Sequence, residues 1–158
     1  GAYAEAPRHP AVSLQPPFTV AAWLKPAEAP GAHDVIACRG DTDPGGWRLR
    51  LGWGMATFHY HDGTNLVEVS VPPHTIPNGY WLHLAATHDG QRLRLYLNAE
   101  EIASQPAGSA PAAANRPLLI GNYIGRKDAY PYVGAIDDVY LAARALDGEQ
   151  IYRLAAGL

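Results

Sequence analysis

The sequence predicts an all-β fold of antiparallel strands arranged as a sandwich or barrel, and three observations carry that expectation. Short apolar/polar alternations recur at regular spacing with no helical pattern between them. Turn signals separate them: DPGG at Asp43–Gly46, HDGTN at His61–Asn65, IPNG at Ile76–Gly79 and HDGQ at His88–Gln91. The 14 prolines and 16 glycines suit many short strands joined by turns better than they suit helices.

In chain order, strands are expected at Phe18–Lys25 (FTVAAWLK), Asp34–Gly40 (DVIACRG), Trp47–Trp53 (WRLRLGW), Ala56–Asp62 (ATFHYHD) and Leu66–Val71 (LVEVSV). The pattern continues at Tyr80–Asp89, Arg92–Asn98, Glu100–Gln105 and Pro117–Gly121, and the opening stretch is itself strand-like. THDGQRLRLYLN predicts a tight Asp-Gly hairpin between two central strands. The small-residue, proline-containing stretch Gln105–Pro117 predicts a long surface loop.

The stretch GAIDDVYLAARALDGEQI, Gly134–Ile151, poses a specific problem. Val139, Leu141 and Ala143 alternate with Tyr140 and Ala142, and extending that alternation backwards puts Asp137 on the core face. If Ile136 also points inward, the strand must hold an extra residue at Asp137 or Asp138, which defines a bulge. Either the strand bulges or a carboxylate turns inward, and a buried carboxylate requires a partner. After Leu146 one short helix is expected. Asp147 is its N-cap, Gln150 completes a capping box, Leu146 and Ile151 have staple spacing, and Gly157 is available to end it. Ile151, Leu154 and Ala155 form the face that packs down.

At 158 residues the chain fits one domain, 1–158, large enough to bury a core without metal or disulfide. A net charge of −3 with 12 scattered basic residues excludes an electrostatic footprint for nucleic acid. Apolar runs such as Val20–Leu24 are far too short for membrane insertion. A single cysteine, Cys38, allows no internal disulfide. GAYAEAP opens without the layout of a signal peptide, so the chain is expected to be a segment of a longer polypeptide.

Taken in order, FTVAAWLKP, IACRGD, GWRLRL, IPNGYWLHLAATHDGQRLRLYLN, LLIGN and YVGAIDDVYLAARALDGEQI resemble the laminin-G-like, concanavalin A-like modules of bacterial proteins. The resemblance runs from about Tyr3 to the C-terminus. It implies a two-sheet antiparallel jelly-roll β-sandwich with a short C-terminal helix. It further implies an accessory module of a larger extracellular or cell-surface protein, linked to carbohydrate binding or adhesion, with a calcium ion near the sheet edge. YAEAP at Tyr3 is similar to the family's second strand, so the implied opening strand would come from neighbouring sequence.

Catalysis is not expected within the domain. Hydrolases of this fold need two carboxylates a few residues apart on one strand face. Here Glu100 and Glu101 are adjacent and so point to opposite faces, and Glu68 stands alone. His59 and His61 share a strand face at a spacing workable for a transition metal, but no third ligand is near, which favours a solvent-facing surface opposite Phe58 and Tyr60. His83 reads as a satisfied packing histidine.

Glycan recognition needs exposed rings beside planar polar groups. Gly121–Gly134 supplies Asn122, Tyr123, Arg126, Lys127, Asp128, Tyr130 and Tyr132, with Trp53 and Tyr60 as extensions of a platform. Arg48, Arg50, Arg92 and Arg94 alternate with leucines and mark outer faces. Asp137 is the expected calcium ligand, with Asp138 as a second ligand or a partner for backbone N–H groups, since bulge carbonyls and carboxylates form an oxygen-rich set; the alternative is a metal-free bulge in which Asp137 accepts hydrogen bonds from the rim loop. The resulting expectation is a noncatalytic module whose partner is a glycan or cell surface. The alternative is a structural module packed on a catalytic domain of the parent enzyme, and a hydrolase of the same fold comes third.

Overall fold

The protein is described here by a computed structural model, covering residues 3–7, 9–12, 14–27, 32–38, 44–109, 117–122 and 131–158. The alternating runs become strands: β1 (Ala4–Ala6), β2 (Phe18–Pro26), β3 (Ala32–Cys38), β4 (Trp47–Gly52), β5 (Met55–His61) and β6 (Leu66–Ser70). They continue as β7 (Leu82–His88), β8 (Arg92–Leu97), β9 (Glu100–Pro106), β10 (Leu118–Ile120) and β11 (Gly134–Ala142), followed by α1 (Gly148–Ala156). A 3-10 turn at Pro10–Val12, which the alternation did not signal, follows β1. Much of the expected Gln105–Pro117 loop lies outside the described residues.

The strands form a six-stranded sheet, β1-β10-β3-β4-β5-β6, and a five-stranded sheet, β11-β2-β7-β8-β9. All pairings are antiparallel, and the two sheets stack as the expected jelly-roll sandwich. Inward side chains from both sheets make one core, with Phe18, Val20 and Leu24 facing Leu49, Phe58 and Tyr60. At its centre the Phe18 ring lies 5.7–6.3 Å from the rings of Trp47, Phe58, Tyr60 and His88. The Asp-Gly hairpin joins β7 to β8 as expected, its Asp89 Oδ1 accepting from the Gln91 and Arg92 N–H groups. Burial raises the Asp89 pKa, but the hydrogen bond from Arg94 and those backbone N–H groups outweigh it and hold the carboxyl at about 2.

β7 is buried along its whole length, because its outer face is also covered. Ala21, Ala85 and Tyr96 on the outside of the five-stranded sheet pack against Leu146 and Ile151 at the start of α1. Burial on two faces explains why VAAWL and LHLAAT are apolar with so little alternation. The capping box forms, with Gln150 N–H donating to Asp147 Oδ1 at 2.9 Å and Asp147 N–H donating to Gln150 Oε1 at 3.1 Å. Thr19 ties this unit to the sheet: its hydroxyl donates to Arg144 O at 2.7 Å and accepts from Leu146 N–H at 2.9 Å.

The bulge is real. Asp137 pairs with Trp23 and Tyr140 with Ala21, so one extra residue lies between them on β11. Asp138 takes it up in the left-handed region at φ 47°, and its N–H donates to Asp137 Oδ1 at 2.9 Å. Ile136, Val139 and Leu141 thereby all pack on the core, while both carboxylates stay exposed. No carboxylate turns inward. Ala143, expected on the core face, lies past the strand end and is exposed.

His83 and His88 are 2% and 0% exposed. Burial lowers both pKa values from 6.5; for His88 the Gly108 carbonyl, Asp89 and Asp62 offset part of that. His88 is held neutral in one tautomer, with Nδ1 accepting from Gly90 N–H and Nε2 donating to Gly108 O, each at 2.9 Å. A histidine whose folded pKa is depressed gives full stability above its unfolded pKa and loses it as pH falls, since the unfolded chain takes up the proton first. Denaturation midpoints are therefore expected to fall between pH 7 and 5, by at most about 1.4 kcal/mol per pH unit for each histidine. A flat profile in urea titrations across that window would contradict the assignment.

Candidate functional site

The β4–β5 hairpin turns on Trp53 and Gly54, with Gly52 paired to Met55 on either side. Both turn residues have positive φ, 51° and 67°, as a two-residue turn matched to strand twist requires. Glycine adopts that geometry freely, but tryptophan does so at a cost of about 1–2 kcal/mol. Gly54 is also fixed by space. A Cβ there would sit 2.9 Å from the His74 backbone, and Ile76 N–H donates to Gly54 O at 2.9 Å. The segment after β6 is thus clamped across the hairpin tip. Trp53 stands out from it, 65% exposed.

On one side of Trp53 is a cavity of about 340 Å³. Tyr132, Val133, His74, Asn78 and Pro26 contribute to its wall. Tyr132 is half-buried against the core edge, and burial pushes its hydroxyl well above the usual tyrosine range, so it remains a donor. Its N–H donates to Gly121 O at 2.9 Å and its hydroxyl approaches Ala135 O at 3.4 Å. On the other side, on the outer face of the six-stranded sheet, a groove of about 180 Å³ is lined by Arg50, Trp53, Met55, Thr57, His59 and Glu68. One exposed indole therefore borders two depressions rich in hydrogen-bonding groups.

The groove floor corrects the solvent-facing reading of His59. Arg48, His59 and Glu68 lie in register across β4, β5 and β6. Arg48 Nε donates to His59 Nδ1 at 3.0 Å, and His59 Nε2 lies 2.9 Å from Glu68 Oε2. His59 and Arg48 are only 4% and 8% exposed. With both His59 nitrogens engaged, and His61 Nδ1 accepting from Gly63 N–H at 3.1 Å, the pair does not present a metal-binding face. The four arginines divide between the sheets. Arg48 and Arg50 lie on β4, whereas Arg94 on β8 pairs with Asp89 and Glu101.

Of the residues expected to bind a ligand, the structure brings Trp53 and Tyr132 to one cavity. Asn122 is 1% exposed, so its side chain is part of the fold rather than of an accessible surface. Tyr123, Arg126, Lys127, Asp128 and Tyr130 lie outside the described residues. Tyr60 belongs wholly to the core. Asn78, His74 and Met55 were missed. The GWGM stretch carried a signal for the site, since a tryptophan between glycines separating two alternating runs marks a hairpin tip.

Asp137 and Asp138 lie apart from this cavity, on the bulge of the edge strand β11. Calcium takes six to eight oxygen ligands. One of the two adjacent carboxylates accepts a backbone N–H, and no cluster of three acidic, histidine or cysteine side chains occurs among the described residues, so a calcium ion here would draw its further oxygens from backbone carbonyls.

Residues 1–152 match the profile of the laminin G type within the concanavalin A-like lectin/glucanases superfamily. No curated protein matches the sequence. Among solved structures, the mouse laminin alpha1 chain domains LG4-5 superpose with a TM-score of 0.74 at 14% identity, over 93% of this chain and 42% of that one. The binding domain of botulinum neurotoxin serotype D gives 0.72 at 17% identity, over 92% and 37%. This chain thus spans about two fifths of those molecules. Domain 4 of AbnA, an extracellular GH43 arabinanase from Geobacillus stearothermophilus solved with arabinotriose, gives 0.71 at 19% identity, over 96% and 71%. With a profile match over nearly its whole length and the two-sheet jelly roll in place, the chain belongs to the concanavalin A-like lectin/glucanases superfamily, in its laminin G group.

Proposed function

We propose that this domain is a noncatalytic module of an extracellular or cell-surface protein that binds an oligosaccharide at the Trp53 hairpin tip. The observation that carries the reading is a 65% exposed tryptophan held in a left-handed conformation beside a cavity. Such strain persists at sites where the surrounding structure over-determines it, and it often accompanies ligand contact. A sugar's C–H face stacks on an indole, while hydroxyls hydrogen-bond to planar polar groups. Asn78, His74 and Tyr132 border one depression and can serve the latter, as can Arg50 and Thr57 in the other. Similarity to a domain solved with arabinotriose supports a sugar ligand.

The noncatalytic part rests on the carboxylates. Glu68 is committed to His59, Glu100 and Glu101 sit on the edge strand β9, and the aspartates of the bulge are not among the cavity's lining residues. A second reading, packing against another domain of a parent protein, is favoured by adjacent Tyr80 and Trp81, 70% and 47% exposed.

Trp53→Asn separates these readings. Asparagine accepts the left-handed turn, so the variant is expected to unfold at higher denaturant, gaining about 1 kcal/mol. It should also lose roughly 1–3 kcal/mol of oligosaccharide affinity in calorimetry, the scale of a well-packed aromatic contact. A wild-type domain that retains nothing on a broad glycan array would favour the packing reading. Sugar binding unchanged in Trp53→Asn would remove the hairpin tip as the site.

A further inference from the structure

A second cavity, of about 330 Å³, opens on the outer face of the five-stranded sheet, between that face, the bulge of β11 and the C-terminal end of α1. Trp23, His83, Asp138, Tyr140, Leu154 and Gly157 line it, and none of them borders the Trp53 cavity. Two of its polar groups are left over by the fold. His83 is 2% exposed, and its Nδ1 has no hydrogen-bond partner among the described residues, contrary to the satisfied histidine expected from sequence. A buried polar atom left in that state costs free energy unless something fills the need. The Asp138 carboxylate has no cation or hydrogen-bond donor among the described residues. Its backbone is nevertheless held at φ 47° by the bulge, the kind of device that re-aims a side chain.

The remaining walls define the chemistry. The Trp23 ring meets the His83 ring edge-on at 5.5 Å, Tyr140 adds a second aromatic and Leu154 an apolar flank. Aromatic faces attract cations, and the C-terminal end of a helix carries partial negative charge. Burial keeps His83 neutral, so it does not repel a cation. The positive charge in the last helical turn, Arg153, is occupied by Glu149 at 2.7 Å. Lys25, two residues beyond Trp23 on β2, is exposed and does not line the cavity.

We infer that this cavity receives an alkylguanidinium or alkylammonium group, its charge on Asp138, one N–H on the free His83 nitrogen, and its stem between Trp23, Tyr140 and Leu154. That chemistry is supplied by a small organic cation or by an arginine or lysine side chain of another polypeptide. The assignment is independent of the sugar site.

The test uses ethylguanidinium and butylammonium chloride as probes, with 1-butanol as the neutral control, followed by NMR at the His83 ring and the Trp23 indole. Saturable shifts are expected with a Kd of about 1–10 mM, weakened roughly fivefold or more by Asp138→Asn and by added salt. Asp138→Gly relieves the left-handed strain, so it should stabilise the fold while losing the probes, which separates binding from folding. Trp53→Asn should leave probe binding unchanged. A capped Gly-Arg-Gly peptide binding more tightly than ethylguanidinium identifies a polypeptide as the source; the reverse order identifies a free cation. No saturable shift, equal shifts in Asp138→Asn, equal binding of 1-butanol, or the same shifts produced by calcium alone would each overturn the inference.

Discussion

Phe18→Ala should lower the free energy of unfolding by about 3–5 kcal/mol, the range for truncating a buried aromatic whose site cannot collapse. Phe18 is fully buried, and four other rings surround it from both sheets. Removing it leaves a cavity bounded by stiff aromatic walls on β4, β5 and β7, which relax little. Equilibrium urea unfolding followed by tryptophan fluorescence measures the loss. A cost below about 1.5 kcal/mol would mean that the two sheets close over the gap and that the ring cluster does not hold them apart. The same substitution should leave probe binding near Trp23 intact in the folded fraction, because that cavity lies on the other side of its sheet.

Gly134→Ala is expected to cost on the order of 3 kcal/mol and, in the folded fraction, to weaken ligand binding at the Trp53 cavity. Gly134 has φ 144°, and a Cβ added there would overlap Lys25 O and come within 2.8 Å of the Tyr132 hydroxyl oxygen. The first contact is with backbone of β2 at the start of its pairing with β11, so it cannot be relieved by a side-chain rotation. The second pushes Tyr132 from the cavity wall. Denaturation midpoints and calorimetry on the same sample read the two effects separately. Wild-type stability in this variant would show that the β11–β2 start shifts freely, and unchanged ligand affinity would show that Tyr132 does not shape the site.

Most strands were legible because each alternates over a few residues and is bounded by its own turn chemistry, as in Arg92–Leu97 after Asp89-Gly90. The helix was legible for the same reason. Asp147 and Gln150 satisfy each other's backbone groups within one turn, and no distant residue is needed. At the bulge the sequence by itself narrowed the choice to two states. Tertiary structure chose between them, because a left-handed aspartate costs less than a buried, unpaired carboxylate.

Alternation determines which side chains share a face but not what covers that face. RLRL occurs in both β4 and β8, yet the strands joined different sheets, and Arg48 became buried with His59 while Arg94 paired with Asp89 at a hairpin. The candidate site followed the same division. The sequence by itself determined Trp53 at the end of a strand and Tyr132 near the last strand, and the turn on Trp53 and Gly54 came from the pairing of β4 with β5. Their meeting at one cavity, and the His83 nitrogen that has no partner among the described residues in a cavity shared with Asp138, were decided only by the closing of one sheet on the other and of α1 on the outer face, since contacts between distant segments are set by packing and leave no local pattern.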